Sequence, residues 1–239
     1  MIKAIFFDFN GVIIDDETIQ MKAYQEVLRG HDIELSEEWY FDALGMDDRT
    51  FVRAMFDRAQ KPLSDAVWAS VLEEKTGHHR AMIEDQLPIF PGVITFLKAT
   101  SRHFSLGLVS MANKTEVGYV FERARLTPLF SVIVTAEDAS ACKPDPACYV
   151  AGLAKLNAKR QQERLLPLLP AECLAIEDSP PGIQSARAAG MRTLGVTNTV
   201  SEAALRAAGA DVVTASLADW TVDAVKLVYS NSAGAHATH

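Results

Sequence analysis

Short apolar runs alternate with longer stretches of helical periodicity from about residue 90 onward, and a further apolar run lies at the N terminus. The runs are rich in β-branched or aromatic residues and have the length of buried strands. Such alternation predicts parallel strands joined by crossover helices. We therefore expect an α/β fold with an open, doubly wound parallel sheet. The predicted strands are IKAIFFD (2–8), FSLGLVS (104–110), FSVIVTA (130–136), CLAIED (173–178), RTLGVT (192–197) and ADVVT (210–214).

Helical periodicity fills the intervals between these strands, and several of the helical stretches are followed by glycine, which is common after a helix C-terminus. A polar stretch at 157–169 is interpreted as a solvated extension of the helix before it. The predicted helices are at 93–100, 114–125, 146–157, 180–189, 202–208 and 217–229.

Residues 15–90 differ from the rest of the chain, because their apolar residues recur at helical spacing and no β-branched run interrupts them. The segment LPIFPG (87–92) contains the proline and glycine that mark a boundary. We expect a helical insert at 15–90, placed after the first strand of a core that comprises residues 1–14 and 91–239.

Composition and charge narrow the classes of partner. The chain has 239 residues, 49% of them hydrophobic and 23% charged, which is enough to bury a globular core. Its net charge is -8 and no segment concentrates lysine and arginine, which argues against nucleic acids and anionic membranes as partners. A small-molecule substrate is expected, and both a monomer and a homodimer are left open.

Cysteine usage and hydropathy bear on the compartment. Cys142, Cys148 and Cys173 lack the paired spacing of a metal site and follow no secretory leader, so we expect reduced thiols. No apolar run approaches the roughly 18 residues of a membrane span. These features predict a cytoplasmic protein.

Polar residues with catalytic potential follow the predicted strands. In open α/β sheets, ligands bind beyond the carboxyl ends of the strands. Asp8, Ser110, Lys143, Glu177 and Asp178 all lie at or soon after such ends. Three converging carboxylates repel one another unless a hard cation such as Mg²⁺ accepts their oxygens, so a metal site is implied. The lysine can neutralise a nucleophilic carboxylate or a phosphoryl oxygen, and the serine can donate a hydrogen bond.

Each of these residues also has a purely structural interpretation. Ser110 can be a turn or helix-cap residue, Lys143 can be a surface lysine, and EDSPPG (177–182) can cap the following helix. Their joint occurrence, in this order and each near a strand end, favours a single site.

Four segments carry a resemblance that spans nearly the whole chain. They are FDFNGVI (7–13), LVSMANK (108–114), CKPDP (142–146) and IEDSPPGIQSARAAGM (176–191). The set resembles the haloacid dehalogenase superfamily, in the branch whose helical cap follows the first strand and which includes β-phosphoglucomutase-like and phosphoglycolate phosphatase-like enzymes. The resemblance implies a Rossmann-like catalytic core at 1–14 and 91–239 with a cap domain at 15–90.

The same resemblance implies roles for individual residues. Asp8 would be the nucleophile that forms an aspartyl phosphate, and Ser110 and Lys143 would bind the transferring phosphoryl group. The cofactor Mg²⁺ would be held by Asp8, the backbone carbonyl of Asn10, Glu177 and Asp178.

Substrate contacts are implied in the cap and in the serine loop. LGMDDRT (44–50) is similar to the family's substrate loop and contains Arg49, while Lys75 lies on the long cap helix. Met111 and Asn113 of the serine loop complete the candidates. A solvated helix charge remains the alternative interpretation of Arg49 and Lys75.

Asn10 departs from the family pattern, in which an aspartate two residues after the nucleophile moves the leaving-group proton. An amide has no titratable proton at neutral pH. Gln20 likewise replaces a histidine of the mutases. We therefore expect a hydrolase of the phosphatase type, acting on a small phosphorylated metabolite, and not a mutase. The alternatives are a slow phosphatase for activated phosphates, with Asp15 or Asp16 lending a proton, a dehalogenase- or phosphonatase-like enzyme that uses Asp8, and a catalytically impaired metal-binding relative.

Overall fold

Six parallel strands form one sheet in the order β3-β2-β1-β4-β5-β6 in the computed structural model, which describes residues 1–230. Residues 231–239 of the predicted core segment lie outside the described residues. The sheet confirms the predicted doubly wound α/β fold. The strands are β1 (Ala4–Phe7), β2 (Ser105–Val109), β3 (Val132–Val134), β4 (Cys173–Glu177), β5 (Arg192–Val196) and β6 (Val212–Thr214).

The helices fall into two groups along the chain. Four lie in the predicted insert at 15–90 and are α1 (Glu17–Arg29), α2 (Glu37–Phe41), α3 (Asp48–Arg58) and α4 (Asp65–Met82). The others follow the insert and are α5 (Val93–Thr100), α6 (Lys114–Arg123), α7 (Ala147–Gln162), α8 (Pro180–Ala188), α9 (Glu202–Ala207) and α10 (Val222–Ser230).

Two of the predicted helix boundaries shift by more than two residues, namely the end of α7 and the start of α10. Helix α7 continues to Gln162, so the first part of the polar stretch at 157–169 is helical, as interpreted from the sequence. The predicted start at 217 is wrong for α10, because residues 217–219 form a separate short 3-10 turn. Thr221 accepts a hydrogen bond from the backbone N–H of Ala224 at 3.1 Å, which satisfies a donor in the first turn of α10.

Each face of the sheet is covered by its own apolar layer, as a parallel sheet requires. Along β1, Ile5 and Phe7 point into one buried cluster, and Ala4 and Phe6 point into the other. All four side chains are fully buried, because alternate residues of a strand face opposite sides.

The insert has an apolar core of its own. Helices α1, α3 and α4 contribute Tyr24, Leu28, Phe51, Met55 and Val71, which are buried together. The two chain segments that join the insert to the sheet run side by side: the N–H of Asp15 donates to the carbonyl of Pro88 at 2.6 Å, and Ile14 forms an isolated bridge with Ile89. These contacts lie at the predicted domain boundaries.

The strand order places a crevice at the carboxyl end of β1. Strand β1 pairs with β2 on one side and with β4 on the other, so the direction of winding reverses there. The insert begins just after β1 and stands over this edge. Within residues 1–230, no helix combines the length and apolarity needed to cross a membrane.

Candidate active site

The pairing of β1 with β4 brings three carboxylates together. Phe7 is in register with Ile176, and the N–H of Asp8 donates to the carbonyl of Ile176 at 3.0 Å. One oxygen from each of Asp8, Glu177 and Asp178 lies within 4.8 Å of the other two. The structure therefore brings these three predicted site residues into one cluster.

Lys143 provides positive charge at this cluster. Its Nζ lies 3.0 Å from Asp8 Oδ1 and 2.6 Å from Glu177 Oε1, and the side chain is buried. Burial opposes the charge on Lys143, but Asp8 and Glu177 outweigh it and raise the pKa of the ammonium group. Ser110, buried at the end of β2, lines the same cavity. All four sequence segments that carry the resemblance thus meet at one edge of the sheet.

The carboxylates of the cluster favour a bound cation or proton. Burial and the neighbouring Asp8 raise the pKa of Glu177 to about 8, although Lys143 opposes the shift. Burial, followed by the charges of Asp8 and Glu17, raises the pKa of Asp178 well above its usual value. Like charges in a site of low dielectric constant have this effect until a cation neutralises them.

The donor set fits Mg²⁺. Glu177 Oε1 accepts hydrogen bonds from Lys143 and Tyr149, whereas Glu177 Oε2 is buried and has no hydrogen-bond partner among residues 1–230. Asp178 Oδ2 accepts a hydrogen bond from Thr199. Hard divalent cations prefer carboxylate oxygens as ligands, and an oxygen that accepts no hydrogen bond from the protein is free to bind one.

Two glycines leave room for these oxygens. A Cβ at Gly182 would lie 1.9 Å from Glu177 Oε2, and a Cβ at Gly11 would lie 1.8 Å from Asp178 Oδ2. Gly11 also has a φ of +70°, a conformation that favours glycine. The glycines of FDFNGVI and IEDSPPG therefore permit the close approach of the chain after β1 and of the first turn of α8 to the carboxylates.

Asn10 is held by a buried carboxylate. Its Nδ2 donates to both oxygens of Asp16, at 2.9 and 3.0 Å, and Asp16 is fully buried. Asp16 Oδ2 also accepts a hydrogen bond from Gln20 Nε2 at 3.1 Å and lies 2.8 Å from Nε2 of the buried His79. The roles of Asp16 and His79 in this network were not found from the sequence.

Of the three consecutive acids that follow the nucleophile loop, Asp15, Asp16 and Glu17, only Glu17 lines the cavity together with Asn10. Asp15 is exposed, and Asp16 is enclosed by Asn10, Gln20 and His79, whereas Glu17 lines the cavity. Burial and the neighbouring Asp16 raise the pKa of Glu17 to about 7, although a hydrogen bond from the Tyr40 hydroxyl at 2.7 Å lowers it. Glu17 was not found from the sequence.

The predicted substrate contacts are in different settings. Lys75 and Met111 line the cavity, which has a volume of about 100 Å³. Asn113 donates to Asp48 Oδ2 at 2.8 Å. Arg49 is exposed, lies outside the cavity lining, and places its guanidinium 5.3 Å from the centre of the Trp68 ring.

A buried ionic network joins the insert to the core. Lys75 Nζ lies 3.1 Å from Asp48 Oδ1 and 2.7 Å from Glu116 Oε1, and Glu116 Oε2 accepts from Gln20 Nε2 at 3.1 Å. Burial opposes the charge of Lys75, but the two carboxylates outweigh it and raise its pKa. Lys75 is only 2% exposed, so the alternative interpretation as a solvated helix charge is wrong.

Comparison with known proteins identifies the family. The model for haloacid dehalogenase-like hydrolases matches residues 2–190. The phosphorylated carbohydrates phosphatase of Thermotoga maritima is 27% identical over 87% of this chain and 92% of its own length. Hexitol phosphatase B of Escherichia coli is 27% identical over 92% of this chain and 95% of its own length.

A solved structure supports the fold. The β-phosphoglucomutase of Clostridium difficile superposes with a TM-score of 0.83 at 22% identity, over 97% of this chain and 99% of that one. The resemblance drawn from the four sequence segments is confirmed by the family model and by this fold. The chain belongs to the haloacid dehalogenase-like hydrolases.

Proposed function

We propose that the protein is a Mg²⁺-dependent phosphatase that acts on a small phosphorylated sugar or polyol. The observation that carries the proposal is the position of Asp8, which lies against Lys143, belongs to the carboxylate cluster and lines the cavity. The names of the relatives from Thermotoga maritima and Escherichia coli support a phosphorylated carbohydrate as substrate.

In this proposal, Asp8 attacks the phosphorus atom of the ester. A bond forms between an Asp8 oxygen and phosphorus while the bond from phosphorus to the ester oxygen breaks, which leaves an aspartyl phosphate and an alcohol. Lys143 and Ser110 bind the phosphoryl oxygens. Water then attacks the phosphorus atom and releases phosphate and Asp8.

Mg²⁺, held by Asp8, the Asn10 carbonyl, Glu177 and Asp178, would supply charge neutralisation between the nucleophile and the phosphoryl group. Glu177 Oε2, which has no hydrogen-bond partner within the described residues, supports this assignment, as do the raised pKa values of Glu177 and Asp178.

The leaving oxygen needs a proton that Asn10 cannot give. Glu17 is the proposed donor, because it lines the cavity with Asp8 and its pKa of about 7 populates both protonation states near neutral pH. Glu17 would then accept a proton from the attacking water, which restores the starting state.

The proposal assigns substrate binding to both sides of the cavity. Lys75 and Met111 line it, and Asn113 acts through Asp48. For Arg49 to contact the substrate, the Arg49 guanidinium would have to move away from the Trp68 ring. We also propose a cytoplasmic enzyme, on the basis of its three unpaired cysteines.

A substrate screen tests this function. Purified protein with Mg²⁺ is assayed against sugar and polyol phosphates, phosphonates and haloacids, with Asp8→Ala as the inactive control. We expect phosphate release from phosphate esters by the unmodified protein only. Turnover confined to haloacids or phosphonates would replace the proposal, and equal phosphate release by Asp8→Ala would exclude Asp8 as nucleophile.

A further inference from the structure

The side-chain amide of Gln20 is fixed in one orientation. Gln20 lies on α1, is buried and lines the cavity. Its Nε2 donates to Asp16 Oδ2 and to Glu116 Oε2, each at 3.1 Å. Both partners are carboxylates, which accept hydrogen bonds when ionised, so rotating the amide by 180° would place oxygen against oxygen. The two carboxylates therefore determine where Gln20 Oε1 lies.

Gln20 Oε1 is an acceptor in need of a donor. The atom is buried and has no hydrogen-bond partner among residues 1–230. A buried acceptor left unpaired is destabilising, because its hydrogen bonds with water have been lost. Since Gln20 lines the cavity, a ligand that occupies the cavity can supply the missing donor.

The charges around Gln20 restrict the chemistry of that ligand. In the part of the cavity around Gln20, Glu116 accepts a hydrogen bond from Gln20 Nε2, and Lys75 joins Glu116 to Asp48. Glu17 lines the same cavity. Among the described lining residues, Lys75 is the cation in this part, and it is already bound to Asp48 at 3.1 Å and to Glu116 at 2.7 Å. A second phosphate or a carboxylate of the ligand would face these acids without a cation to neutralise it, whereas a hydroxyl group can donate a hydrogen bond.

We propose that Gln20 Oε1 accepts a hydrogen bond from a hydroxyl group on an uncharged part of the substrate. This contact selects monophosphates of sugars or polyols over bisphosphates and over phosphorylated carboxylic acids. The inference rests on the proposed phosphatase function and specifies the part of the substrate that lies away from the phosphoryl group.

A series of deoxy substrates tests the contact. Kinetics are measured for the best polyol or sugar monophosphate and for its analogues that each lack one hydroxyl group. For the unmodified enzyme we expect one position at which loss of the hydroxyl lowers kcat/KM at least about ten-fold. In Gln20→Met, which has similar length but no hydrogen-bonding amide, the same loss should cost less than about three-fold.

Gln25→Met is the matched control. Gln25 lies on the same helix, outside the cavity lining, and its Nε2 donates to the carbonyl of Leu35 at 3.0 Å. The Gln25→Met variant should keep the full ratio of kcat/KM between the hydroxyl and deoxy substrates that the unmodified enzyme shows. Gln20→Met also removes donors from Asp16 and Glu116, so the readout is the ratio between hydroxyl and deoxy substrates and not the absolute rate. A uniform loss across the series would overturn the inference.

Binding separates this inference from the hydrolytic function. Asp8→Asn with Mg²⁺ is titrated calorimetrically with the polyol monophosphate, its deoxy analogues and a matching bisphosphate. Suppose that the unmodified protein hydrolyses no ester, but that Asp8→Asn binds the polyol monophosphate more tightly than its deoxy analogues and Asp8→Asn/Gln20→Met does not. The inference then stands and the proposed function fails. Equal affinity for all the compounds overturns the inference. Tight binding of the bisphosphate that is lost when Arg49→Ala is added also overturns the inference, because Arg49 would then neutralise the second phosphate group.

Discussion

Asn10 donates two hydrogen bonds from one side-chain nitrogen to the two oxygens of Asp16, at 2.9 and 3.0 Å. The amide of Asn10 therefore supplies hydrogen bonds to a carboxylate that is fully buried. An aspartate at position 10, the residue usual in the family, would instead face Asp16 as a second carboxylate. Asn10 is thus coupled to Asp16 six residues later, and its effect cannot be judged from position 10 alone.

This relationship predicts the outcome of Asn10→Asp. The substitution places two carboxylates about 3 Å apart in a buried setting, so one must hold a proton or the pair must separate. We expect the free energy of unfolding to fall by roughly 1–3 kcal/mol, because the Asn10 N–H donor is replaced by an oxygen that faces the acceptor oxygens of Asp16. Denaturant unfolding at pH 8 measures the change.

The double variant Asn10→Asp/Asp16→Asn reverses the positions of acid and amide and should recover most of that stability. It also supplies a carboxyl group near Asp8. In a Glu17→Gln background, which lacks the proposed proton donor, these two substitutions should therefore raise turnover of alkyl phosphates about ten-fold or more, with a smaller gain for aryl phosphates. Strict additivity of the two single substitutions in stability would show that Asn10 and Asp16 do not interact.

Magnesium should stabilise the protein, because a cation that binds only the folded state shifts the unfolding equilibrium. We expect millimolar Mg²⁺ to raise the melting temperature of the unmodified protein and to leave that of Asp178→Ala unchanged. Asp178 belongs to the carboxylate cluster, so its removal takes away a predicted ligand. An unchanged melting temperature of the unmodified protein at all Mg²⁺ concentrations would contradict the metal site.

Gly182→Ala should remove the same response for a steric reason. Its Cβ would lie 1.9 Å from Glu177 Oε2, so the Glu177 side chain must move. Gly77→Ala is the matched control, since Gly77 lies in the interior of α4, where an added Cβ would have no atom of residues 1–230 within 4 Å apart from its chain neighbours and the adjacent backbone of its own helix. The control should keep the full Mg²⁺ response and gain about 0.5–1 kcal/mol of stability.

The fold was predictable because its elements are local. Each strand of the sheet is a short apolar run, and Asp8, Ser110 and Glu177 lie at strand ends, where parallel order brings them together. The start of α10 was misplaced because the sequence from 217 is apolar at helical spacing, while the break there depends on a short turn and the Thr221 cap.

The contacts between insert and core could not be predicted in the same way. Glu116 meets Lys75 from 41 residues away, and Asp16 meets His79 from 63 residues away. No periodicity relates such positions, since the contact depends on how the insert packs over the sheet. Arg49 and Lys75 therefore looked alike in sequence, yet one is exposed beside Trp68 and the other is buried.

Lys75→Met tests the network that joins insert and core. Lys75 and Glu116 are both nearly fully buried, and removing the ammonium group leaves the Glu116 and Asp48 carboxylates without their cation. We expect a loss of about 3–5 kcal/mol in the free energy of unfolding. Adding Glu116→Gln should recover part of this loss, because one of the uncompensated charges is removed. Equal stability of the single and double variants would show that Glu116 does not depend on Lys75.

Glu17 should give the protein a characteristic pH dependence. Its pKa is about 7 in the folded protein and 4.5 as a free side chain, so the folded state binds more protons between these values. Stability from this group is therefore present below about pH 4.5 and is lost as the pH rises through 7. In metal-free protein, Glu17→Gln should reduce the fall in unfolding free energy over this range, whereas Glu26→Gln, on the exposed side of α1, should not.

The same substitution tests Glu17 as the proton donor. If the protonated form is required, kcat for alkyl phosphates should decline as the pH rises past the pKa of Glu17. That pKa should lie somewhat below 7 with Mg²⁺ bound, because the cation offsets the charge of Asp8 that helps to raise it. Glu17→Gln should lose this decline and lower kcat for alkyl phosphates by about 10²–10⁴, with a much smaller loss for aryl phosphates, whose leaving groups need less protonation. Persistence of the decline in Glu17→Gln, or equal losses for both classes of ester, would assign the proton transfer to another group.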